Sequence, residues 1–472
     1  MRSALDLTPA PPAPASWRPL VAACLGTFLL LLYATIVTVA LPRIGAELGG
    51  GFGARQWIVD VFTVALAGLL LGMGSLSDNL GRKRVYLLGL VIFGLATLAC
   101  GLAGSAAVLI AARAVQGVAG AAMFATILPL VGLTYTGRAR ARAFAVWGTV
   151  AGAGGAVGTA AGGVLAELLG WRWIFFASLP IWVLSLALAV TSLRESDRTG
   201  KRIDFPGIAT FTVAVSALTF AVINGGDRGW AAPGTVLGAA IAVVALVAFV
   251  LAERAHPAPM VPAKLFGTPA FVGVLVVAFA YYFAAFGALP VLSLWLQDTT
   301  GLSPAGTSLA LTVQVVVFFL TSALISDRLH RLPPGRVLGG ATVLIGLGCA
   351  TGLAALAAPN WVALLPALVL TGLGAGMVSP VFPAVAIAAV PASYGGTAGA
   401  AANSSRQLGL ALGIALCGTL YSGHSGSPTG AIVLVLLFCA GVALVGGVLT
   451  AWLLRPRTRD LLPVTRDVRP RT

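Results

Sequence analysis

The sequence predicts an all-α polytopic membrane protein with two six-helix bundles and two inserted helices. Of its 472 residues, 58% are hydrophobic and 9% charged, whereas roughly 25% of residues are charged in a typical soluble domain. Mean hydropathy is +0.99. Apolar stretches long enough to cross a bilayer recur along the chain, and motifs of the first half return in the second. Because folding in water would expose large apolar patches, the composition excludes a soluble enzyme, a disordered protein and a coiled coil.

The membrane spans follow from apolar stretches that lie between charged or Pro/Gly-rich breaks. A helix needs about 20 apolar residues to cross a bilayer. The first stretch lacks a small-residue cleavage site, so we interpret it as a retained helix rather than a cleaved signal peptide. The pattern predicts fourteen helices, near 20–42, 57–76, 85–103, 107–133, 143–166, 172–193, 206–223, 234–252, 270–296, 305–325, 336–357, 361–390, 397–421 and 430–454.

The charge is distributed unevenly between alternate loops. The chain has 29 Lys and Arg against 14 Asp and Glu, a net charge of +15. Most of the basic residues fall in the loops of one side and in the two tails, which predicts that both termini are cytoplasmic. We therefore interpret the excess as a mark of topology and expect no nucleic-acid partner. The basic residues predicted in loops of the other side are Arg43, Arg55, Arg172 and Arg228.

Residues suited to metal or covalent chemistry are scattered. The five cysteines each lie within an apolar stretch, which favours their interpretation as small buried hydrophobic residues. The three histidines fall in three separate loops, so we expect no metal site. The sequence contains neither a P-loop nor a G-x-S-x-G elbow. We expect no enzyme activity and no bound cofactor.

Three motifs recur in the same order in the two halves. Parallel six-helix repeats of this kind are typical of secondary transporters whose halves rock about a site at the membrane midplane. We predict a bundle over 20–194, a linker with two extra helices over 195–264, a second bundle over 265–455, and tails over 1–19 and 456–472. The repeated motifs are 76–82 with 325–331, 120–123 with 374–377, and Gly154, Gly158 and Gly163 with Gly409, Gly413 and Gly418.

Five segments resemble one transporter family. The loop GSLSDNLGRKR resembles the signature loop of the major facilitator superfamily, and the two extra helices resemble its 14-helix drug:proton antiporters, methylenomycin-resistance-type exporters among them. The resemblance implies the major facilitator fold, proton-coupled export across the inner membrane and function as a monomer. The segments are 57–60 (WIVD), 74–84 (GSLSDNLGRKR), 113–117 (RAVQG), 171–176 (WRWIFF) and 403–409 (NSSRQLG).

The loop between the second and third helices is a candidate conformational latch. Gly81 permits a tight reversal, and Asp78 can hold a helix N-terminus or an arginine. Arg82 and Arg84 can bind opposing carbonyl groups or lipid phosphates, and Gly74 completes the motif. The alternative, a loop that only sets topology, explains the basic run but not Asp78 or Gly81. The resemblance implies that the partner of the latch lies near 397–402.

The sequence departs from the family pattern at three positions. Asn79 stands where an arginine is usual, so one latch contact is missing. Tyr33 replaces the usual aspartate of the first helix, which leaves the proton stoichiometry open and weakens the expected preference for cations. Tyr33 can instead stack on an aromatic substrate or pack at an interface. Thr159 replaces the usual proline of the fifth helix.

Asp60 and Arg113 are the candidates for proton coupling. An ionisable side chain within a membrane helix is costly unless it faces a cavity or a partner. Partial burial favours the protonated form of Asp60, whereas a cationic substrate or Arg113 favours the ionised form. That conflict suits exchange of a proton for a substrate; the alternative is a shallow structural ion pair. Gln116 lies one turn from Arg113 and can share its face.

Glycines of the fifth helix form a candidate packing surface. Gly154, Gly158 and Gly162 recur every four residues and therefore share one face, with Gly163 beside them. Small residues let helices approach closely, which accounts for the spacing by itself. By resemblance this is the antiporter motif, so we interpret these residues as a packing and hinge surface.

The candidate substrate cavity combines these residues with polar side chains of the thirteenth helix. Arg406 lies about nine residues into that helix, where its charge demands a partner or water. Lining of the cavity and bonding between helices are equally open interpretations. The candidates are Tyr33, Asp60, Trp295, Gln314, Phe318, Asn403, Arg406 and Gln407.

The sequence therefore predicts a proton-driven exporter of amphipathic organic compounds such as antibiotics. Its expected partners are the small-molecule substrate, protons and the lipid bilayer. Uptake or facilitated exchange of a metabolite remains an alternative because of Tyr33 and Thr159. A transport-inactive sensor or scaffold is a further alternative, for which a large soluble signalling domain would be expected.

Overall fold

The computed structural model describes residues 16–455, apart from 197, 199–201, 392–393 and 425, as a bundle of α-helices. The predicted tail 456–472 and most of the tail 1–19 lie outside the described residues. The helices are α1 Arg18–Leu48, α2 Phe52–Leu80, α3 Arg82–Gly101, α4 Ala106–Thr134, α5 Gly137–Leu168, α6 Trp173–Phe176, α7 Leu179–Ser192, α8 Phe205–Arg228, α9 Pro233–Ala255, α10 Pro269–Phe286, α11 Leu289–Asp298, α12 Pro304–Leu329, α13 Pro334–Ala350, α14 Leu365–Ala388, α15 Gly395–Ser422 and α16 Pro428–Leu453.

All fourteen predicted helices are present, two of them with a break. The predicted sixth helix consists of α6 and α7, and the predicted ninth consists of α10 and α11. Pro180 and Pro290 each lie in the first turn of the segment after the break. Proline has no N–H to donate to the preceding turn, so the helical ladder stops there and restarts.

The helices are apolar enough to cross a membrane. Among the described residues, 13 helical segments meet that condition by length and composition. The remaining predicted span coincides with α15, which is 28 residues long but carries Asn403, Arg406 and Gln407. The prediction of a polytopic all-α membrane protein is confirmed, and which side the termini face stays a prediction.

The two halves repeat the same packing. Helix α1 packs on α5 as α10 packs on α15, and α2 packs on α4 as α12 packs on α14. Each half has its own large core of buried apolar side chains. Two long seams join the halves, α2 against α15 and α5 against α12, so that the fifth helix of each half meets the second helix of the other. Helix α1 also contacts α11, where Gln297 donates to the Val39 carbonyl oxygen at 3.1 Å. The inserted pair α8 and α9 lies outside this symmetry, because α8 packs on both α2 and α15.

The glycines of α5 let it lie directly on the backbone of α1. A Cβ atom added to Gly154, Gly158 or Gly162 would come 2.8, 2.6 or 2.5 Å from a carbonyl oxygen of α1, in that order. Those oxygens belong to Phe28, Leu32 and Ile36, four residues apart like the glycines. The second half repeats the contact, since Gly409 and Gly413 lie on the backbone of α10 at Phe279 and Phe283. The glycine spacing thus corresponds to equivalent close contacts in both halves.

Gly158→Ala tests this packing. The added methyl group would meet the Leu32 carbonyl oxygen at 2.6 Å and the Thr35 hydroxyl, and such overpacking costs about 1–3 kcal/mol. We expect a lower Tm in detergent by scanning fluorimetry. The control is Gly155→Ala on the same helix, where a Cβ meets no atom within 4 Å and Tm should hold or rise. Equal Tm values for both variants would contradict the packing role.

Candidate functional site

A narrow cavity lies between the two halves. Helices α1, α2 and α4 of the first half supply most of its wall, and α15 supplies the rest. The wall is apolar except for Thr63 and Gln407. Gln407, one of the predicted cavity residues, lies on this wall. The lining residues are Leu30, Leu31, Ala34, Phe62, Thr63, Leu66, Phe124, Gln407 and Leu410.

Arg406 lies beside this cavity, between aromatic rings of both halves. The carbon of its guanidinium is 5.8 Å from the ring centre of Phe124 on α4 and 4.8 Å from that of Tyr282 on α10. The Nε atom is buried and has no hydrogen-bond partner in the described part of the chain. The ring of Tyr282 is tilted by 56° against that of Phe286 at 5.0 Å, and Phe286 contacts the predicted Phe318 edge-to-face at 6.2 Å. A row of aromatic rings thus leads from Arg406 into the second half.

Arg113 and Gln116 form one buried network, as the one-turn spacing predicted. The Nη1 atom of Arg113 donates to the Gln116 Oε1 atom at 2.7 Å, and Gln116 donates to the Thr97 hydroxyl at 2.8 Å. Arg113 also donates to the Ile58 carbonyl oxygen at 3.1 Å. Its guanidinium lies 4.4 Å from the ring centre of Phe62. Carbonyl oxygens, an amide and an aromatic face therefore hold this cation between α4, α2 and α1.

Asp60 is fully buried and is separate from that network. Neither of its carboxylate oxygens has a hydrogen-bond partner in the region described, and the ion pairs of the described residues do not include it. The alternative of a structural ion pair with Arg113 is thus not observed. Because Asp60 follows Ile58 by two residues, it points to a different side of α2. It is also not one of the lining residues of the cavity.

The inserted helix α8 runs antiparallel to α2 on the side of Asp60. Trp57 and Val64, which flank Asp60 on one helical face, pack on residues of α8 and α15. Close approaches fix the register of the pair and place Thr219 at the level of Asp60. The Thr219 hydroxyl is buried and, like the Asp60 oxygens, has no partner in the residues described. The contacts that fix the register are Gly53 with Asp227, Gly68 with Thr212 and Gly72 with Ile208.

Both seams between the halves are tight at one end of the molecule. On the α2–α15 seam, Gln56 donates to the Ala415 carbonyl oxygen at 2.7 Å. On the α5–α12 seam, the Gly163 N–H donates to the Ser308 hydroxyl at 2.8 Å. The Glu167 carboxylate accepts from the Ala305 N–H at 2.8 Å. These contacts join the helix ends beside the loops 49–51, 169–172, 299–303 and 423–427, which is the predicted periplasmic end.

The predicted latch loop is bound within the first half at the opposite end. Asp78 and Arg82 form an ion pair at 2.9 Å, four residues apart. The Glu195 carboxylate accepts from the Lys83 N–H at 2.9 Å and from the Arg84 N–H at 3.1 Å, and so caps α3.

Gly81 makes this cap possible. Its φ is +105° and an added Cβ would lie 2.7 Å from the Glu195 carboxyl carbon, so a larger residue would both strain the turn and displace the cap. A Cβ added to Gly74 meets no atom within 4 Å. The predicted contact with 397–402 stays a prediction.

Other predicted cavity residues lie inside one half. Tyr33 is fully buried in the first half, where its hydroxyl bonds the Ser178 hydroxyl at 2.5 Å. Its ring stacks on Phe175 at 5.7 Å. Trp295 is fully buried in the core of the second half. Gln314 donates to the Ala285 carbonyl oxygen at 2.5 Å and so ties α12 to α10. The Asn403 side chain is partly exposed, one turn from Arg406.

Sequence reasoning missed three residues of this arrangement. Glu195 follows α7 and was counted only as a loop charge, although an acid near a basic helix start is a capping signal. Gln56 lies near the start of α2, and nothing in its local pattern indicates that it crosses to α15. Thr219 belongs to an apolar helix, and only the register of α8 on α2 brings it level with Asp60.

Comparison with known proteins gives consistent matches over the whole chain. A sequence model of the Major Facilitator Superfamily matches residues 23–261 and 274–470. A puromycin resistance protein of Streptomyces alboniger is 34% identical over 94% of this chain and 92% of its own length. The methylenomycin A resistance protein of Streptomyces coelicolor is 33% identical over 92% of each chain. A cephamycin export protein of Amycolatopsis lactamdurans is 36% identical over 87% of this chain and 86% of its own.

Solved structures show the same fold at low sequence identity. The human organic anion transporter MFSD10 has a TM-score of 0.66 and 18% identity, over 93% of this chain and 100% of its own. The POT family transporter PepTSo has a TM-score of 0.66 and 14% identity, over 94% of this chain and 98% of its own. At these identities the likeness concerns the fold alone.

Glu195→Ala tests the cap on α3. Two backbone N–H groups lose their acceptor, and loss of a helix cap costs about 1 kcal/mol. We expect hydrogen exchange of the amides at 83 and 84 to be about fivefold faster in detergent-solubilised protein. Glu47→Ala is the control, because Glu47 bonds Trp171 and Arg172 instead. Unchanged exchange at 83 and 84 in Glu195→Ala would rule out the capping role.

Proposed function

This chain belongs to the Major Facilitator Superfamily, and we propose that it exports amphipathic organic compounds across the cytoplasmic membrane in exchange for protons. The relatives named above are resistance and export proteins for antibiotics, which supports export of such compounds. The apolar cavity between the halves supports an amphipathic substrate. The proposal contains no catalytic step and no cofactor.

The observation that carries the proton coupling is the unpartnered, fully buried carboxylate of Asp60. An ionised carboxylate without hydrogen bonds or counter-charge costs several kcal/mol in an apolar interior. The closed packing of α2 on α8 and α15 therefore favours the protonated form of Asp60. Ionisation requires water, and water can reach the carboxylate only when α2 separates from these helices. The protonation of Asp60 is in this way coupled to whether α2 is packed on α8 and α15 or separated from them.

The proposed alternating access depends on contacts at the two ends of the molecule. In the proposed cycle, the contacts of Gln56 and Gly163 hold the periplasmic end closed while the cavity is open to the cytoplasm. Substrate binding and proton release then let the halves rock, so that these contacts break and the latch loop engages α15. This cycle includes the predicted bundles 20–194 and 265–455, the linker 195–264 and cytoplasmic termini.

Arg113 has a supporting role in this proposal. Its guanidinium contacts the Ile58 carbonyl oxygen of α2 and the ring of Phe62, which also lines the cavity. A displacement of Phe62 by substrate therefore acts on Arg113 and on α2. We propose that Arg113 and Gln116 transmit substrate binding to the proton site and do not themselves exchange the proton.

Asp60→Asn tests the proton site. The amide has nearly the shape of the protonated acid but neither gains nor loses a proton near neutral pH. We expect the variant to insert and fold normally, and substrate-induced proton release to be abolished in inverted vesicles. Puromycin, methylenomycin A and a cephamycin are the first compounds to add, with a pH-sensitive dye as readout.

The matched control is Asp227→Asn. Asp227 is an exposed acid at the far end of the same α2–α8 contact, and its replacement should leave proton release at the wild-type level. Undiminished proton exchange in Asp60→Asn would refute the assignment. Absence of exchange in the wild-type protein with a broad compound panel would refute proton-coupled export altogether.

A further inference from the structure

A positive charge lies beside the cavity between the halves and has no counter-ion among the described residues. The ion pairs of the described residues are Arg82–Asp78, Arg84–Glu195 and Arg172–Glu47, all at helix ends. Arg406 lies in the middle of α15 and takes part in none of them. The polar groups beside its guanidinium are the hydroxyls of Tyr281, with which it forms a hydrogen bond, and of Tyr282.

A comparison with Arg113 shows what Arg406 lacks. Three acceptors surround Arg113, namely the carbonyl oxygens of Tyr33 and Ile58 and the Gln116 amide. Arg406 has aromatic faces on two sides, one hydrogen bond with the Tyr281 hydroxyl, and a buried Nε atom without an acceptor in the described structure. Aromatic faces compensate only part of the cost of removing a guanidinium from water. The Arg406 guanidinium therefore retains capacity for an anionic partner.

The only described carboxylate deep in the membrane region faces elsewhere. Asp60 is not a lining residue of the cavity, although Thr63 one turn away is, and Val64 and Trp57 beside it pack on α8 and α15. A cationic substrate in the cavity would thus meet the charge of Arg406 without a neighbouring acid. An anion would meet the guanidinium and the Gln407 amide, both donors on the same turn of α15.

The neighbouring wall indicates the rest of the ligand. Phe124 contacts Arg406 and also lines the cavity beside Phe62, Leu30 and Leu66. The rings of a planar aromatic body can make favourable offset or edge contacts with such faces when the halves separate. An acidic group placed on Arg406 leaves the ring system of the same molecule within the apolar part of the cavity.

We propose that this cavity selects organic anions, in which a carboxylate or phenolate pairs with Arg406 and an aromatic body packs on Phe124 and Tyr282. The inference rests on the proposed function for the role of the cavity in transport. It adds a consequence for energetics. Export of a monoanion in exchange for an entering proton moves two elementary charges in the same sense, so an inside-negative potential drives both movements.

The test measures binding of three probes that share one ring system. They are 9-anthracenecarboxylate, its uncharged methyl ester and the cation 9-(aminomethyl)anthracene, titrated by anthracene fluorescence into purified full-length protein in detergent. We expect the carboxylate to bind at least tenfold tighter than the ester, after subtraction of partition into empty micelles, and the cation to bind weakest. Arg406→Gln should bring carboxylate and ester within twofold, and Arg406→Lys should retain part of the preference.

Arg55→Gln is the matched control. Arg55 likewise lies over a phenylalanine ring and has an unpartnered Nε atom in the described structure, but it borders a separate cavity at the closed end. Its replacement removes the same charge and should leave the carboxylate preference intact. The ranking of the three probes in the wild-type protein needs no variant, so the test survives a failure of Arg406→Gln to fold.

The outcomes separate this inference from the proposed function. Equal binding of acid and ester, tighter binding of the cation, or an undiminished preference in Arg406→Gln would overturn anion selectivity while leaving proton-coupled export intact. Conversely, anion selectivity in detergent together with no proton exchange in vesicles would defeat the proposed function alone. In inverted vesicles, whose lumen corresponds to the periplasm, uptake of the carboxylate should accelerate when the lumen is made electrically positive.

Discussion

The structure depends on one constraint: a charged side chain between apolar helices must be bonded, neutralised or hydrated. The chain meets this constraint in three ways. Arg113 is bonded on several sides by carbonyl oxygens and an amide, which fixes α4 on α1 and α2. Asp60 has no hydrogen-bond partner among the described residues, so the closed packing around it favours its neutral form. Arg406 lies beside a cavity, where an anion or water can reach it. Groups that look alike in the sequence thus have different roles.

The internal repeat gives the two halves similar packing, and the inserted helix α8 makes the two seams between them different. Glycines place α5 on α1 and α15 on α10 by equivalent close contacts, so this helix pair is tightly packed in each half. The seams between the halves use hydrogen bonds instead, through Gln56 on one side and Gly163 on the other. Hydrogen bonds at a seam can be exchanged for water at small net cost. The insertion of α8 breaks the symmetry, since it covers only the α2–α15 seam and encloses Asp60 there.

Composition and the apolar pattern were sufficient to predict the fourteen spans, because each span must be apolar over a fixed length. The family and its fold were predicted from the resemblance of five short segments. The contacts within the site were not predictable in the same way. Asp60 and Arg113 seemed natural partners by charge, but the two-residue step from Ile58 to Asp60 turns the carboxylate to another side of α2. The cap by Glu195 depends on the path of the chain after α7. Thr219 lies level with Asp60 only because of the register of α8 on α2, and no local sequence pattern predicts that register.

Helix α2 connects these separate features mechanically. It carries the Asp60 carboxylate, the cavity residues Phe62 and Thr63, and the Ile58 carbonyl oxygen that Arg113 holds. Its two ends carry Gln56 at the closed seam and the latch loop. In the proposed cycle, proton and substrate act on different side chains of α2. In the proposed cycle they compete through the position of this one helix, since hydration of Asp60 and occupation of the cavity each require α2 to leave its neighbours.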